Sequence, residues 1–334
     1  MTDISRRQFG KALLSSAAGI SAALAFPSLL PAFDTNPNDS GVMDKPSVIS
    51  MCSEKLKRVN NDVPKENIIP FLDQGVMKIT GKPTAVSAWK SLFASDEKVG
   101  LKLSCLPGKP LSSSVGLVLA IVNGLKLCGI KESNIYIWER TERELERAGF
   151  SSSNPLFKGL NVVGTDFLGN DGYLETIEFA GSVGTRFSWI MERVDALINV
   201  PVLKDHDLSG VSAGMKNFYG AIYNPNKFHR NNCNPYVAEL STHPLIRNKL
   251  RLIVCDATRV QVHNGPAFFP KYAWEYGGLL VSRDPVALDY AGWQLIETGR
   301  KNSGLNTLKE AGREPVYIFT GGKLGLGKIE GEKS

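Results

Sequence analysis

The residues best suited to chemistry lie in one stretch of the chain, Pro201–Gly220. It contains His206, the lysines Lys204 and Lys216, and Asn217 directly after the second lysine. Imidazole transfers protons near neutral pH and binds metals, whereas a lysine neutralises an anion or, once desolvated, acts as a nucleophile. The stretch therefore predicts a site that acts on a small anionic molecule, with His206 and Lys216 as catalytic residues.

Small residues alternate between the two lysines, at Gly210, Ser212 and Gly214. Such residues let a ligand or another backbone segment approach closely. A helix beginning near Leu208 would also carry Ser212 and Lys216 on one face, at positions i and i+4. Four residues are predicted to contact a ligand or cofactor: Lys204, Ser212, Gly214 and Asn217.

All four histidines of the chain fall between residues 206 and 263. His206 and His229 are the candidate metal ligands, but their spacing fits neither H-x-x-x-H nor H-E-x-x-H and indicates no particular metal. His243 and His263 fit a hydrogen-bonded structural role equally well. A metal ion and a covalently held cofactor are both compatible with these residues, and the cofactor's identity stays open.

Two predicted strands end in polar residues. Asp195–Val200 leads into the site stretch, and Leu250–Cys255 ends at Asp256. Because the carboxyl ends of parallel strands share one edge of a sheet, we expect Asp256 to join His206 and Lys216 as a third catalytic residue. The competing interpretation is an ion pair between Lys216 and Asp256 that only ties a helix to a strand.

The apolar segments predict an α/β fold with a mainly parallel, Rossmann-like sheet and helices on both faces. The strands Val99–Cys105 and Asn134–Trp138 flank an apolar helix, which is the pattern of a βαβ unit. Asp284 is expected to cap a helix that starts at Pro285. The remaining predicted strands are Leu160–Gly164, Leu174–Phe179 and Gly278–Ser282, and the predicted helices are Glu66–Ile79, Ala85–Ala94, Leu111–Leu127, Pro235–Arg247 and Val286–Thr298.

Residues 1–25 fit a targeting segment rather than part of the fold. The run S-R-R-Q-F-G-K at Ser5–Lys11 matches the twin-arginine signal, and A-L-A at Ala23–Ala25 fits a cleavage site. We therefore expect the twin-arginine translocase to export this protein, folded, to the periplasm. A linker and N-terminal extension are expected over 26–60, and the α/β domain over 61–330, in one lobe or two. No run after the signal is long enough to span a membrane stably.

Composition argues against two other classes. The net charge is +6, but the basic residues are scattered and form no block interleaved with aromatics, so nucleic-acid binding is not expected. The five cysteines are widely spaced with no C-x-x-C, so an iron–sulfur cluster within this chain is not expected. Only Cys233, between His229 and His243, is a candidate ligand.

Two further patterns have simpler explanations. The run E-R-T-E-R-E-L-E-R at Glu139–Arg147 predicts a solvated helix face with the i, i+4 pairs Glu139–Arg143 and Arg140–Glu144. The run G-K-L-G-L-G-K at Gly322–Lys328 fits the spacing of a phosphate-binding P-loop. Ile329 stands where that motif needs Ser or Thr, and too few residues follow for its helix, so we reject that interpretation.

Five short motifs stand in the second half of the chain: V-P-V-L-K-x-H at Val200–His206, G-V-x-x-G-M-K-N-x-x-G at Gly210–Gly220, I-V-x-D at Ile253–Asp256, N-G-P at Asn264–Pro266 and S-x-D-P-V-A-x-D at Ser282–Asp289. Taken together they resemble domain-of-unknown-function family 362, from about Val99 to about Gly327. The family's activity is largely unsettled, and the iron–sulfur motifs of some members are missing here. Where members usually show K-P-N at the first strand end, this chain has Lys102-Leu103-Ser104.

A shorter run, His206–Lys216, is similar in spacing to a motif of the nickel-pincer lactate racemase family. That resemblance implies Lys216 as the attachment point of a covalently held cofactor and His206 as a metal ligand or acid–base group. The other catalytic histidine motifs of that family are not found in the N-terminal half of this chain.

Two functions are consistent with these residues. The first is an exported, metal- or cofactor-dependent enzyme that acts on a small anionic molecule. The second is a non-enzymatic periplasmic protein that binds or carries a small anion, metal or cofactor.

Overall fold

The computed structural model describes residues 47–166 and 172–329 of the chain. The twin-arginine pattern, its cleavage site and most of the expected linker lie outside these residues. Within them, no helix is both long and apolar enough to cross a membrane.

One mixed sheet organises the described residues. The described strands are β1 (Val48–Cys52), β2 (Val99–Lys102), β3 (Ile135–Glu139), β4 (Asn161–Gly164), β5 (Glu178–Ala180), β6 (Val183–Thr185), β7 (Ala196–Asn199), β8 (Val202–His206), β9 (Gly210–Ser212), β10 (Leu250–Gln261), β11 (Ala273–Trp274) and β12 (Gly278–Ser282). Seven of them follow one another across the mixed sheet in the order β1-β12-β10-β7-β2-β3-β4, while β8 and β11 pair with β10, and β9 pairs with β8. Among the described strands, β5 and β6 pair only with each other.

The centre of the sheet is parallel. Strands β10, β7, β2, β3 and β4 run in one direction, and β12 lies antiparallel between β10 and β1. This confirms the predicted α/β class with a mainly parallel sheet. The edge strand β1 lies inside the expected N-terminal extension, so part of that extension belongs to the sheet.

Helices pack on both faces of the sheet, and each face has its own apolar core. One core contains α1 and α3, and the other contains α9 and the short helices around the site. The helices are α1 (Lys65–Thr80), α2 (Ala85–Lys90), α3 (Val115–Leu127), α4 (Glu142–Ala148), α5 (Ile190–Arg193), α6 (Gly214–Asn217), α7 (Tyr236–Ser241), α8 (Pro244–Arg247), α9 (Pro285–Asn302) and α10 (Tyr317–Lys323).

Local sequence explains how α9 begins. The side chain of Asp284 accepts a hydrogen bond from the backbone N–H of Ala287 at 2.8 Å, and Pro285 occupies the first helical turn. A carboxylate at the N-cap satisfies a backbone donor that the helix itself leaves unpaired. The predicted cap is therefore confirmed.

Three predicted elements need correction. No helix starts near Leu208: β8 and β9 form a hairpin there, and α6 begins only at Gly214. The predicted strand Leu174–Phe179 is reduced to β5, which begins at Glu178. The predicted helix Pro235–Arg247 is two helices, α7 and α8, because Pro244 starts a new helix after the extended cap residue His243.

Candidate functional site

The site is built where three parallel strands end. Lys102 ends β2, Glu139 ends β3 and Asn199 ends β7, and all three side chains are buried. The Nζ atom of Lys102 lies 2.8 Å from Oε2 of Glu139 and donates to the carbonyl of Leu103 at 2.6 Å. This ion pair corrects the prediction for Glu139, which belongs to a strand and not to a solvated helix face.

The β8–β9 hairpin extends the same edge. Its register pairs Lys204 with Ser212 and His206 with Gly210, so these residues alternate onto one face. The Nζ atom of Lys204 donates to Oγ of Ser104 at 2.8 Å, and only 3% of this lysine is exposed. Lys204, which the sequence predicts to contact a ligand or cofactor, thus lies in the interior of the site.

Helix α6 presents Lys216 and Asn217. The amide of Asn217 donates to Oδ1 of Asn199 at 2.7 Å, and Asn199 donates to the carbonyl of Gly214 at 2.7 Å. At the other end of this helix, the buried carboxylate of Asp289 accepts from the N–H groups of Gly214 and Met215. These bonds fix the helix to the edge of the sheet.

The contacts of Lys216 and His229 define a tautomer. Nδ1 of His229 lies 3.1 Å from the carbonyl of Pro225, which can only accept, so this nitrogen carries the proton. The other ring nitrogen, Nε2, is then a lone-pair acceptor 3.2 Å from Nζ of Lys216. The ammonium group also lies 3.9 Å from the ring centroid of Tyr219, a cation–π contact.

His206 lies against His229, with ring centroids 5.5 Å apart and planes at 22°. The N–H groups of Leu208 and Ser209 lie 3.2 Å and 3.4 Å from its Nδ1. Two donors at one nitrogen require that it be unprotonated, so Nε2 carries the proton. The exposed Asp207 carboxylate, 3.1 Å from the same Nδ1, favours the other tautomer. Because water screens that carboxylate, we assign the tautomer from the two backbone donors.

Cys233 lies near Lys216 and Tyr219 and is fully buried. Burial raises the pKa of its thiol, although Lys216 and hydrogen bonds from Tyr219 and Ser209 act in the opposite direction. The thiol is therefore largely protonated near neutral pH, and it belongs to the wall of the site.

We call the group formed by Lys102, Lys204, Lys216, His206 and His229 the lysine–histidine cluster. Its charge is unbalanced: Lys102 pairs with Glu139, but within the described residues no carboxylate forms an ion pair with Lys204 or Lys216. Burial lowers the pKa of both of these lysines to about 8. Burial and then the charge of Lys216 hold the pKa values of His206 and His229 below the ordinary histidine value. The cluster is a partly desolvated cationic site.

Asp256 lies in a separate network. One carboxylate oxygen lies 3.0 Å from a guanidinium nitrogen of Arg58 and accepts from the N–H of Ser114, while the other accepts from Thr258. Arg58 and the other donors lower the pKa of Asp256, despite its burial. The structure brings His206, Lys216 and Asn217 to one edge, but it gives Asp256 no hydrogen bond to any of them. The alternative ion pair between Lys216 and Asp256 is also not formed.

The small residues make room for the protein's own groups. A Cβ atom at Gly210 would lie 2.1 Å from the carbonyl oxygen of Arg313, and one at Gly214 would lie 2.9 Å from Oδ1 of Asp289. Gly210 also has φ = +76°, a conformation that favours glycine. Close approach of other protein segments therefore explains both glycines, while Ser212 lies beside Lys204 in the hairpin.

The predicted metal ligands have limited capacity for a metal. Among the described residues, no group of three or more His, Cys, Asp and Glu side chains is arranged to hold a metal ion. In His229, Nδ1 is protonated and Nε2 faces an ammonium group, while in His206 the unprotonated nitrogen faces backbone donors. As arranged, the two histidines and their lysine neighbours suit an anion better than a divalent cation.

Sequence reasoning missed Glu139, Asn199, Ser104 and Tyr219 as parts of the site, and it left Lys102 and Asp289 unassigned. Three of these residues could have been found from their position at the carboxyl end of a predicted strand, which is where parallel sheets place ligand sites. Lys102, Glu139 and Asn199 all end parallel strands at the edge where Lys204 and His206 lie. Nothing in the sequence pairs Ser104 with a lysine 100 positions later.

Comparison with known proteins gives one family match. A family model described as "Domain of unknown function (DUF362)" matches residues 99–294, more than half of the chain. No curated protein matches the sequence significantly.

Solved structures show only distant similarity. A crystal structure of a Thermotoga maritima protein has a TM-score of 0.41 and 12% identity, and the match covers 73% of this chain and 60% of that protein. The lactate racemase apoprotein from Thermoanaerobacterium thermosaccharolyticum also has a TM-score of 0.41, with 15% identity and coverage of 60% and 49%. The chain therefore matches less than two thirds of the length of either protein.

Proposed function

Because this chain belongs to the DUF362 family, whose description assigns no activity, we propose its function from the chemistry of the lysine–histidine cluster. The protein binds a small anionic molecule, such as a carboxylate or a phosphate, at this cluster and moves a proton on it. The most specific form of the proposal is an enzyme. A binding or carrier protein for the same anion is the alternative.

One observation carries the proposal: two buried lysines have no carboxylate partner among the described residues. Within residues 47–166 and 172–329, the hydroxyl of Ser104 is the hydrogen-bond acceptor of Lys204, and the imidazole of His229 is that of Lys216. A buried ammonium group that lacks a counter-charge costs free energy. A bound anion would supply that charge to both lysines and would raise their pKa values.

Proton transfer is supported by the pairing of Lys216 with His229. An acid–base group works best when its pKa lies near the operating pH, and burial brings Lys216 to about 8. Nε2 of His229 is positioned to accept the proton that Lys216 would give up or return. His206, with its proton on Nε2, would act as a hydrogen-bond donor toward the anion.

The predicted roles of Asn217 and Asp256 differ under this proposal. Asn217 holds the edge of the site through Asn199 and the carbonyl of Lys102. Asp256, paired with Arg58, would act at a distance by fixing the strand β10. A covalently held cofactor, for which Lys216 would be the attachment point, remains a prediction. A metal ion, for which His206 and His229 are the candidate ligands, also remains a prediction.

The test is to identify what the protein carries. We would purify it from its native export route, measure its intact mass and metal content, and analyse the small anions released on denaturation. The proposal expects a stoichiometric anion that is lost in Lys216→Met and kept in the control Lys82→Met, since Lys82 is exposed. Equal anion content in wild type and Lys216→Met would overturn it.

Hydrogen–deuterium exchange into the bound anion then distinguishes an enzyme from a carrier. The identified anion is incubated in D2O with wild type, with Lys216→Met and without protein. Deuterium incorporation or conversion that needs wild type supports the enzyme, whereas release of the unchanged, undeuterated anion supports the carrier.

Export in the folded state is also part of the proposal, and the pattern at Ser5–Lys11 supports it. Replacing Arg6 and Arg7 by lysines should leave the protein in the cytoplasm, as measured by cell fractionation. A variant that still reached the periplasm would contradict this route.

A further inference from the structure

A cavity beside α6 is lined by none of the residues of the lysine–histidine cluster. It is a cavity of about 230 Å³ between α6, α7, α8, the start of α9 and the C-terminal segment. Apolar side chains and two arginines define it: Met215, Phe218, Leu250, Leu326, Arg247 and Arg283.

The cavity has an apolar base and a cationic rim. Met215 and Phe218 are fully buried and form part of its inner wall, and Leu250 and Leu326 are half-buried. Arg247 and Arg283 are exposed. A ligand that fits this arrangement has an apolar body and an anionic end.

The two arginines at the rim have guanidinium N–H groups that are free to bind an anion. Arg247 donates one bond to the carbonyl of Gly325 at 3.0 Å, which leaves most of its guanidinium donors available. Arg283 has no hydrogen bond or ion pair with any residue that the structure describes. The described lining includes no acidic side chain. The nearby carboxylate of Asp284 already accepts from the N–H groups of Ala287 and Lys328.

The glycine-rich segment Gly322–Lys328 forms one side of this cavity. Gly325 has φ = +70° and Leu326 donates to the carbonyl of Gly321, so the chain turns here and brings Gly325 and Leu326 into the lining of the cavity. This arrangement gives the segment a structural part in a binding site, although it does not form a P-loop.

We propose that this cavity binds a small amphiphilic monoanion, namely a short-chain aliphatic carboxylate, with the chain among Met215, Phe218 and Leu326 and the carboxylate at the two arginines. The carboxylate pairs with guanidinium groups in a geometry that both partners favour. Met215 of α6 lines this cavity and Lys216 of the same helix belongs to the lysine–histidine cluster, so α6 contributes to both sites.

Isothermal titration of the full chain with acetate, butyrate and hexanoate tests the proposal. Each buried methylene should strengthen binding by about fourfold until the cavity is full. Hexanamide, which keeps the chain but lacks the charge, should bind at least about tenfold more weakly than hexanoate. Absence of saturable hexanoate binding, or equal binding of hexanoate and hexanamide, would overturn the proposal.

Variants locate the binding. Arg283→Gln should weaken hexanoate by about tenfold, whereas Arg143→Gln, at an exposed arginine of α4, should leave it unchanged. Leu326→Trp fills the cavity and should abolish the binding that strengthens with chain length, without removing a charge. Lys216→Met should still bind hexanoate, because the lysine–histidine cluster is a separate site. Loss of hexanoate binding in Lys216→Met with retention in Leu326→Trp would overturn this assignment.

Discussion

Lys204 and Lys216 differ from the buried cations Arg58 and Lys102, because their ammonium groups face a hydroxyl and an imidazole rather than a carboxylate. Arg58 pairs with Asp256, and Lys102 pairs with Glu139. The two unpaired lysines lose their protons near pH 8 in the folded protein. An unfolded chain keeps a lysine protonated up to about pH 10.4.

This difference predicts how stability depends on pH. Between pH 8 and about 10.4 the unfolded state binds more protons at these two lysines than the folded state, so their contribution to the free energy of unfolding rises with pH. Wild type should therefore gain a few kcal/mol over this interval relative to the double variant Lys204→Met/Lys216→Met. Urea unfolding at several pH values measures the difference. The exposed control Lys82→Met should follow wild type, and a constant difference between wild type and the double variant would contradict the assignment.

At the residue scale, the types and rough positions of the site residues were predictable, but their partners were not. His206, Lys204, Lys216 and Asn217 lie at one sheet edge as expected, because they surround a strand end. Asp256 also follows the strand-end rule, yet it pairs with Arg58, 198 positions earlier in the chain. Long-range partners of this kind are determined by packing, which a local pattern does not encode.

At the element scale, α6 depends on a residue outside it. Asp289 in α9 accepts from the N–H groups of Gly214 and Met215 and from the hydroxyl of Tyr317. Burial raises the pKa of this carboxyl group to about 7, and these donors partly oppose the shift. A helix of only four residues has little stability of its own, so this contact holds it in place.

Asp289→Ala should leave the two backbone donors of α6 unsatisfied. We expect a loss of about 1–3 kcal/mol in the free energy of unfolding, together with weaker anion binding, although every lysine is retained. Chemical denaturation and titration with phosphate measure the two effects. The control Asp96→Ala, at an exposed aspartate, should change neither. If Asp289→Ala bound phosphate as tightly as wild type, this positioning role would be wrong.

Gly210, in the hairpin β8–β9, has a matched control in Gly312, which lies outside the hairpin. Gly210 and Gly312 have φ of +76° and +70°, so alanine is strained at both. A Cβ atom at Gly210 would also lie 2.1 Å from a backbone oxygen, whereas one at Gly312 has no neighbour within 4 Å. Gly210→Ala should therefore lower the free energy of unfolding more than Gly312→Ala, by at least about 1 kcal/mol. Equal losses in the two variants, measured by urea unfolding, would contradict the described packing.

Elements with a strong local signal were predicted well, and weak ones were not. The strand Gly278–Ser282 and the capped helix after Asp284 match the structure closely. A helix was predicted to begin near Leu208, because Ser212 and Lys216 fit i, i+4 spacing on one helix face. The hairpin found there is stabilised from outside, where Arg313 donates to Asp205 and to the carbonyl of His206. That contact spans more than 100 positions of sequence and has no local signature.

At the scale of the whole molecule, the parallel sheet explains why the site forms at all. The strands β2, β3, β7 and β8 deliver Lys102, Glu139, Asn199 and His206 to one edge. A parallel α/β sheet was predictable from the apolar runs and their connections. The antiparallel pairing of β12 and the edge strand β1 were not, since local pattern carries no information on pairing order.

The central claim is that the unpaired lysines bind an anion. The most direct measurement is isothermal titration of the full chain with phosphate and with malonate at pH 7.0 and pH 9.5, for wild type, Lys216→Met and Lys82→Met. Saturable binding is expected for at least one probe at pH 7.0. It should weaken by at least about tenfold at pH 9.5, where Lys204 and Lys216 lose their charge, and by a similar factor in Lys216→Met. Binding should be unchanged in Lys82→Met. Absence of binding of both probes to wild type at pH 7.0, or equal affinities for wild type and Lys216→Met, would contradict it.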